Sequence, residues 1–196
     1  MRSGRLRVSW RVLIGVGVLL VCDRTGLCLL TLLAAFLHEC GHLAAARILH
    51  IPWQSLRLDL LGARREVGGR MLSAGEEWLL SLAGPLSSLA FAALASPLWQ
   101  LSSAARLFSG ASLLLGLLNL LPIRGFDGGR MLECFVGSHL GVRATHTLTT
   151  AVSGGFLFLL WAVASYFLLR VGNGLALFCF SVSLLLRFLE SEDSLA

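Results

Sequence analysis

The sequence contains no lysine, and only 14% of its 196 residues are charged. A soluble domain of this length carries more charge and shorter apolar runs, so an ordinary soluble fold is excluded. The five cysteines are scattered and no two are spaced as C-x-x-C, which argues against a disulfide framework. Because the basic residues are all arginines that flank apolar runs, we interpret them as membrane-orienting residues and expect no nucleic-acid partner.

Long apolar runs dominate the chain, since 56% of its residues are hydrophobic. Several runs approach the length of about 20 residues that spans a bilayer. We expect an all-α polytopic membrane protein with about six transmembrane helices, and a short β-strand pair between the second and third. The predicted spans are residues 9–22, 26–49, 77–100, 108–121, 149–169 and 173–189. The whole chain, 1–196, is expected to be a single membrane-embedded domain with its core at about 26–132.

The strand pair is predicted from a segment with a different periodicity. Leu56, Leu58 and Leu60 alternate with polar residues, and Gly68-Gly69 provides a turn signal. We expect this pair at the membrane surface.

The arginines also predict the orientation. If the N-terminus is cytoplasmic, most of the 16 arginines fall in cytoplasmic segments, which favours both termini on that side. The basic N-terminal segment resembles the start of a signal peptide. However, Val21-Cys22-Asp23 offers no small-residue cleavage site, so we expect an uncleaved first helix.

The second predicted span contains His38, Glu39 and His42, which form H-E-x-x-H. On a helix, histidines four residues apart lie on one face, so both imidazoles can reach one zinc ion. Zinc lowers the pKa of its water, and Glu39, offset by about 100°, can take the proton. Because ionisable side chains are costly in a membrane helix, the cluster indicates a functional site.

Catalytic zinc usually has three protein ligands, so the motif leaves one ligand to be found. Asp127 is the favoured candidate, since Gly128-Gly129 follow it and let the backbone approach closely and turn sharply. The alternatives are Glu66, Glu76, His139 and His146. We interpret His50, His139 and His146 as interfacial or loop residues.

H-E-x-x-H in one span, followed by N-x-x-P-x-x-x-x-D-G-G at the end of a later one, resembles the site-2 protease family of intramembrane zinc metalloproteases. The resemblance implies one Zn²⁺ per chain, with His38, His42 and Asp127 as ligands and Glu39 as the catalytic base. It also implies that Asn119 helps to hold the substrate or the oxyanion.

A third motif of that family resembles "LAGPLSS", residues 82–88. The chain departs from the family pattern in two places. Ser88 stands where the family often has asparagine, which puts its role in doubt. Gly125-Phe126 stands in place of a second proline, which we expect to loosen the loop that aims Asp127.

The short form of the chain resembles the stage IV sporulation FB-type proteases, which release a sigma factor from a membrane-associated precursor. The resemblance implies an endopeptidase of the bacterial cell membrane that cleaves a membrane-associated regulatory protein. Its partners would be that substrate and the lipid bilayer, and an inhibitory membrane protein is a candidate regulator. We expect an extended substrate segment to pair with the edge of the strand near Ser55–Leu61.

Two alternatives remain open. Another membrane H-E-x-x-H protease would use Glu66 or Glu76 as its third ligand. A non-enzymatic membrane protein, such as a metal transporter or an inactive scaffold, would show exchangeable zinc and no proteolysis.

Overall fold

The computed structural model describes residues 5–8, 17, 23, 25–51, 53–59, 62–67, 72–171 and 175–193. The chain forms two compact units, Met1–Leu118 and Asn119–Ala196. Apart from Gly17, the predicted first span lies outside the described residues.

The described part of the first unit contains strands and helices. In chain order they are β1 (Arg5–Val8), α1 (Leu27–Ile48), β2 (Trp53–Asp59), β3 (Gly62–Val67), α2 (Ala74–Ala95) and α3 (Ser103–Asn119). A short 3₁₀ turn, Ser96–Leu98, follows α2. The final residue of α3 falls in the second unit.

The strands form one sheet in the order β1-β2-β3. β2 pairs in parallel with β1 and antiparallel with β3, so both of its edges are occupied from Ser55 to Leu58. The expectation that this strand offers a free edge to a substrate is therefore wrong. Among the described strands, the outer edges belong to β1 and β3. The placement of the sheet at the membrane surface stays a prediction.

Among the described residues, three helices are long and apolar enough to cross a membrane. They are Leu27–Ile48, Ala74–Leu98 and Asp127–Arg170. α3 has 17 residues, and a shorter apolar helical segment covers Leu177–Leu186. This pattern agrees with a membrane protein, and the count of six spans stays a prediction.

One face of α1 packs against α2. The buried residues of α1 are spaced four apart, as expected for a single stripe along a helix: Ala34, His38, His42 and Ala46. A Cβ on Gly41 would lie 2.7 Å from the Ala83 carbonyl oxygen, so only glycine allows the two helices to approach this closely. The Ser87 hydroxyl contacts the Leu37 carbonyl oxygen at 3.3 Å across the same interface.

Helix ends in this unit are capped by hydrogen bonds. α1 ends in a Schellman motif, because Ile51 N donates to Ala46 O at 2.9 Å and His50 N donates to Arg47 O at 3.2 Å. His50 occupies the left-handed position of that motif with a φ of 52°. α2 begins with a capping box between Ser73 and Glu76.

The second unit contains α4 (Asp127–Val171) and α5 (Leu175–Asp193). Gly141 interrupts α4 with a φ of 77° and a ψ of 171°. His139 and His146, which we interpreted as interfacial or loop residues, both lie on α4, and their position at the interface stays a prediction. The polar residues of 127–148 lower the hydropathy of the segment without preventing a helix.

Candidate metal centre

The H-E-x-x-H motif lies in the middle of α1, and its histidines converge on one point. His38 and His42 are both buried, with 4% and 1% of their surface exposed. Their Nε2 atoms lie 3.2 Å apart, and the two rings are nearly perpendicular at 80°. Candidate ligand atoms of His38, Glu39 and His42 all lie within 4.8 Å of one another. The helical spacing thus produces the cluster that the sequence predicted.

Each imidazole is fixed through its other nitrogen. His42 Nδ1 lies 2.7 Å from the Leu80 carbonyl oxygen, and His38 Nδ1 lies 2.9 Å from the Ser88 hydroxyl. Because a carbonyl oxygen only accepts, the proton of neutral His42 is on Nδ1 and the lone pair of Nε2 points toward His38. Histidine ligands of metals are typically oriented in this way by an acceptor on the second nitrogen.

Glu39 stands next to this pair on the helix. Its Oε2 atom is buried and, among the residues that the structure describes, has no hydrogen-bond partner. An unpaired buried carboxylate oxygen is unfavourable, so its position is explained best by a group that the protein itself does not supply. A water molecule beside a metal ion is such a group.

α2 forms the opposite wall, and Gly84 is the residue that leaves room there. A Cβ on Gly84 would lie 2.7 Å from His38 Nε2 and still closer to His42 Nε2 and Cε1. The converging nitrogens, the unpaired carboxylate oxygen and the absence of a side chain at this position fit a small divalent cation. Imidazole nitrogens are donors that zinc accepts, and a carboxylate beside them can act on a water molecule at the metal.

Two predicted site residues, Asn119 and Asp127, belong to the second unit. Asn119 ends α3, and Asp127 is the buried first residue of α4, where a carboxylate is favoured by the helix dipole. The predicted close approach at the glycines is confirmed, because a Cβ on Gly128 would lie 2.6 Å from Leu121 O. The sharp turn itself is made by Gly125, which has a φ of 95°.

The other candidate ligands have different surroundings. The Glu76 carboxylate accepts a hydrogen bond from Ser73 N at 2.9 Å and caps α2. His139 Nδ1 lies 2.8 Å from Phe135 O within its own helix. Glu66 lies on β3, of which the backbone is described. Third-ligand assignment therefore stays a prediction, with Asp127 as the candidate.

The sequence alone did not predict that residues of α2 contact the two histidines. It showed the segment containing Gly84 and Ser88 only as a family motif, and it left the role of Ser88 in doubt. The hydrogen bond to His38 gives Ser88 a role that its identity alone did not reveal. The available signal was the presence of small residues, Gly84 and Ser88, in a predicted span that could pack against the span with the histidine motif.

Comparison with known proteins identifies a family that part of the chain resembles. The family model described as peptidase family M50 matches residues 70–163. The match includes Asn119 and Asp127 and begins after the H-E-x-x-H motif. The matched segment makes up just under half of the chain.

Two curated relatives resemble this chain over part of their length. Rip3 of Mycobacterium tuberculosis, which bears the name of a zinc metalloprotease, is 36% identical over 116 residues, or 54% of this chain and 30% of that protein. Stage IV sporulation protein FB of Bacillus subtilis is 33% identical over 163 residues, or 76% of this chain and 53% of that protein. The chain thus spans 30% and 53% of the lengths of these relatives.

A solved structure shares the fold of this chain. The site-2 protease from Methanocaldococcus jannaschii aligns with a TM-score of 0.67, covering 94% of this chain and 89% of that protein chain. The sequence identity is 18%, so the likeness concerns the fold.

Proposed function

We propose that the protein is a zinc-dependent intramembrane endopeptidase of the site-2 protease type. The observation that carries this proposal is the arrangement on α1, where two buried Nε2 atoms lie 3.2 Å apart beside an unpaired carboxylate oxygen. The M50 match and the likeness to a site-2 protease support it.

In this proposal His38 and His42 would hold one zinc ion, with Asp127 as the third ligand. The histidine assignments rest on their geometry, and the Asp127 assignment rests on the motif that it shares with the family. Bound zinc supplies a Lewis acid that makes a water molecule acidic near neutral pH. Glu39 Oε2 takes a proton from the attacking water and delivers it to the leaving amine. The Asn119 amide donates a hydrogen bond to the carbonyl oxygen that becomes negatively charged.

The proposed substrate is a membrane-associated regulatory protein that is cleaved in or near a transmembrane segment. A helical segment hides its carbonyl groups in internal hydrogen bonds, so the cleaved stretch must become extended. Because both edges of β2 are paired, the outer edge of β3 or β1 would receive that stretch. The relation to a stage IV sporulation protein suggests a sigma-factor precursor as the substrate class.

We further propose a bacterial cell membrane as the location, with both termini in the cytoplasm, and an inhibitory membrane protein as a regulator. The basis for the orientation is the distribution of arginines.

The decisive experiment replaces Glu39 by glutamine in the full chain and follows cleavage of a co-expressed membrane-tethered substrate. Glu39→Gln keeps the size of the side chain and removes the base, so zinc should remain bound while cleavage is lost. Glu77→Gln is the matched control, because Glu77 is exposed in the first turn of α2. Cleavage by the Glu39 variant at the rate of the control would disprove the proposal.

Asp127→Asn separates the remaining alternatives. Loss of zinc affinity and of cleavage supports Asp127 as a ligand, whereas full activity favours Glu66 or Glu76. A metal transporter or scaffold predicts exchangeable zinc with no cleavage in any variant.

A further inference from the structure

The turn between Asn119 and Asp127 has a defined shape, although it contains a single proline. Ile123 N donates to Leu121 O at 2.7 Å, and Phe126 N donates to Ile123 O at 3.0 Å. Gly125 adopts a left-handed φ of 95°, which proline cannot adopt. A proline would therefore not fit the conformation that the chain adopts at this position.

Ser153 lies on α4 after the break at Gly141. Its side chain hydrogen-bonds to the backbone of this turn on both sides of Ile123. Its hydroxyl accepts a hydrogen bond from Arg124 N at 3.0 Å and contacts Pro122 O at 3.3 Å, where it can donate. The Ser153 and Ile123 side chains are buried, with 1% and 2% of their surface exposed. One hydroxyl therefore uses its donor and its acceptor to hold two backbone groups two residues apart.

The Arg124 side chain makes a second connection from the same turn. Its Nη1 atom donates to Thr150 Oγ1 at 3.0 Å and lies 3.4 Å from His146 Nε2. Its Nε atom donates to Glu133 Oε1 at 3.3 Å. Planar guanidinium groups suit this use because their donors point in fixed directions.

The turn and the first residues of α4 are in close backbone contact. A Cβ on Gly129 would lie 3.0 Å from Arg124 N, and one on Gly128 would lie 2.6 Å from Leu121 O. A displacement of the turn must therefore displace the helix start, where Asp127 is buried.

We propose that Ser153 and Arg124 are positioning residues that determine where the Asp127 carboxylate is held. Their hydrogen bonds supply the rigidity that a second proline would give to this turn. The proposal rests on the proposed function in which Asp127 is a zinc ligand. Neither residue is required to touch the metal or the substrate.

The test compares Ser153→Ala with Ser181→Ala in the purified full chain. Ser181 is a matched control because it is also fully buried, but its hydroxyl donates to Phe178 O within α5. Zinc affinity is measured by competition with a chelator, and the visible spectrum of the cobalt-loaded protein reports the ligand geometry. We expect Ser153→Ala to bind zinc about 10-fold to 100-fold more weakly, as for other groups that orient a ligand, and to alter the cobalt spectrum. Ser181→Ala should do neither.

A second pair of variants tests the hydrogen bonds of the Arg124 side chain. Thr150→Val removes the acceptor of Nη1, whereas Thr149→Val removes a hydroxyl that bonds Thr145 O within its own helix. The first should weaken zinc binding and the second should not. If Ser153→Ala fails to fold, Arg124→Gln decides the same question, since it keeps the backbone bond and loses the guanidinium contacts.

The outcomes separate the two proposals. If Asp127→Asn loses zinc affinity while Ser153→Ala and Arg124→Gln retain it, the positioning proposal is overturned and the proposed ligand stands. If Asp127→Asn retains zinc affinity, Asp127 is not a ligand and both fail.

Discussion

Replacing Gly84 by alanine should block the metal centre without changing any ligand. The added Cβ would lie 2.7 Å from His38 Nε2, whereas non-bonded heavy atoms are most stable at about 3.5–4.0 Å. At least about 0.8 Å must therefore be absorbed by the histidines or by movement of α2. Metal sites tolerate ligand shifts of only about 0.2 Å, so at least one Zn–N bond should be lost or distorted.

The expected loss is larger than that from removing an orienting group, because a ligand atom itself is displaced. We expect zinc affinity to fall by about 100-fold or more, which corresponds to at least about 2.8 kcal/mol. The measurement is a chelator competition on the detergent-solubilised chain, together with zinc content after gel filtration.

Two glycine variants serve as controls for this substitution. A Cβ on Gly110 in α3 would meet no side chain or neighbouring element within 4 Å in the part of the chain that the structure describes, so Gly110→Ala should bind zinc normally and stabilise the helix by about 1 kcal/mol. Gly41→Ala disturbs the packing of α1 on α2 near Ala83 rather than the histidine nitrogens. If Gly84→Ala binds zinc like the Gly110 variant, then the space between the imidazoles and α2 is not where the metal lies.

Three further outcomes are expected. Ser88→Ala removes the partner of His38 Nδ1 and should weaken zinc binding about 10-fold in the same competition, and an unchanged affinity would show that this bond does not orient the ring. His50→Gly should stabilise the chain by about 1 kcal/mol, because glycine adopts the left-handed φ of 52° without strain; a thermal unfolding curve measures it, and a lower midpoint would contradict it. Hydrogen bonds from the Thr25 hydroxyl, then from the Thr25 and Cys28 amides, lower the pKa of Asp23, which lies before α1. Since the folded pKa lies below the unfolded one, this stabilisation is present above the unfolded pKa and is lost as the pH falls through the folded pKa. Asp23→Asn should therefore lower the unfolding midpoint of metal-free protein at pH 6 and have less effect at the acid end, and an effect independent of pH would contradict the assignment.

The local parts of the site could be predicted from the sequence. The spacing of His38 and His42 determines that they share a face once the segment is helical, and the apolar run made the helix itself predictable. The two glycines after Asp127 predicted a close backbone contact that the structure contains.

The remaining parts depend on contacts that no local pattern specifies. Gly84 and Ser88 act on residues more than 40 positions earlier in the chain, so their role follows from how α2 packs on α1. β1 covers only four residues in a basic segment, which is too short for a strand pattern to show in the sequence. The helical stretch on either side of Gly141 is hard to predict because its polar side chains resemble those of a connecting loop.

Gly141 divides α4 into two helical arms, and the Arg124 side chain hydrogen-bonds to both of them. A straight helix of 45 residues would be about 68 Å long, more than twice the hydrocarbon thickness of a bilayer. Arg124 bonds Glu133 before the break and Thr150 after it, so the turn and the two helical arms form a closed triangle. The angle between the two arms is therefore coupled to the hydrogen bonds that close this triangle. A change in that angle would have to stretch or break one of the hydrogen bonds of Arg124, in the turn that precedes Asp127.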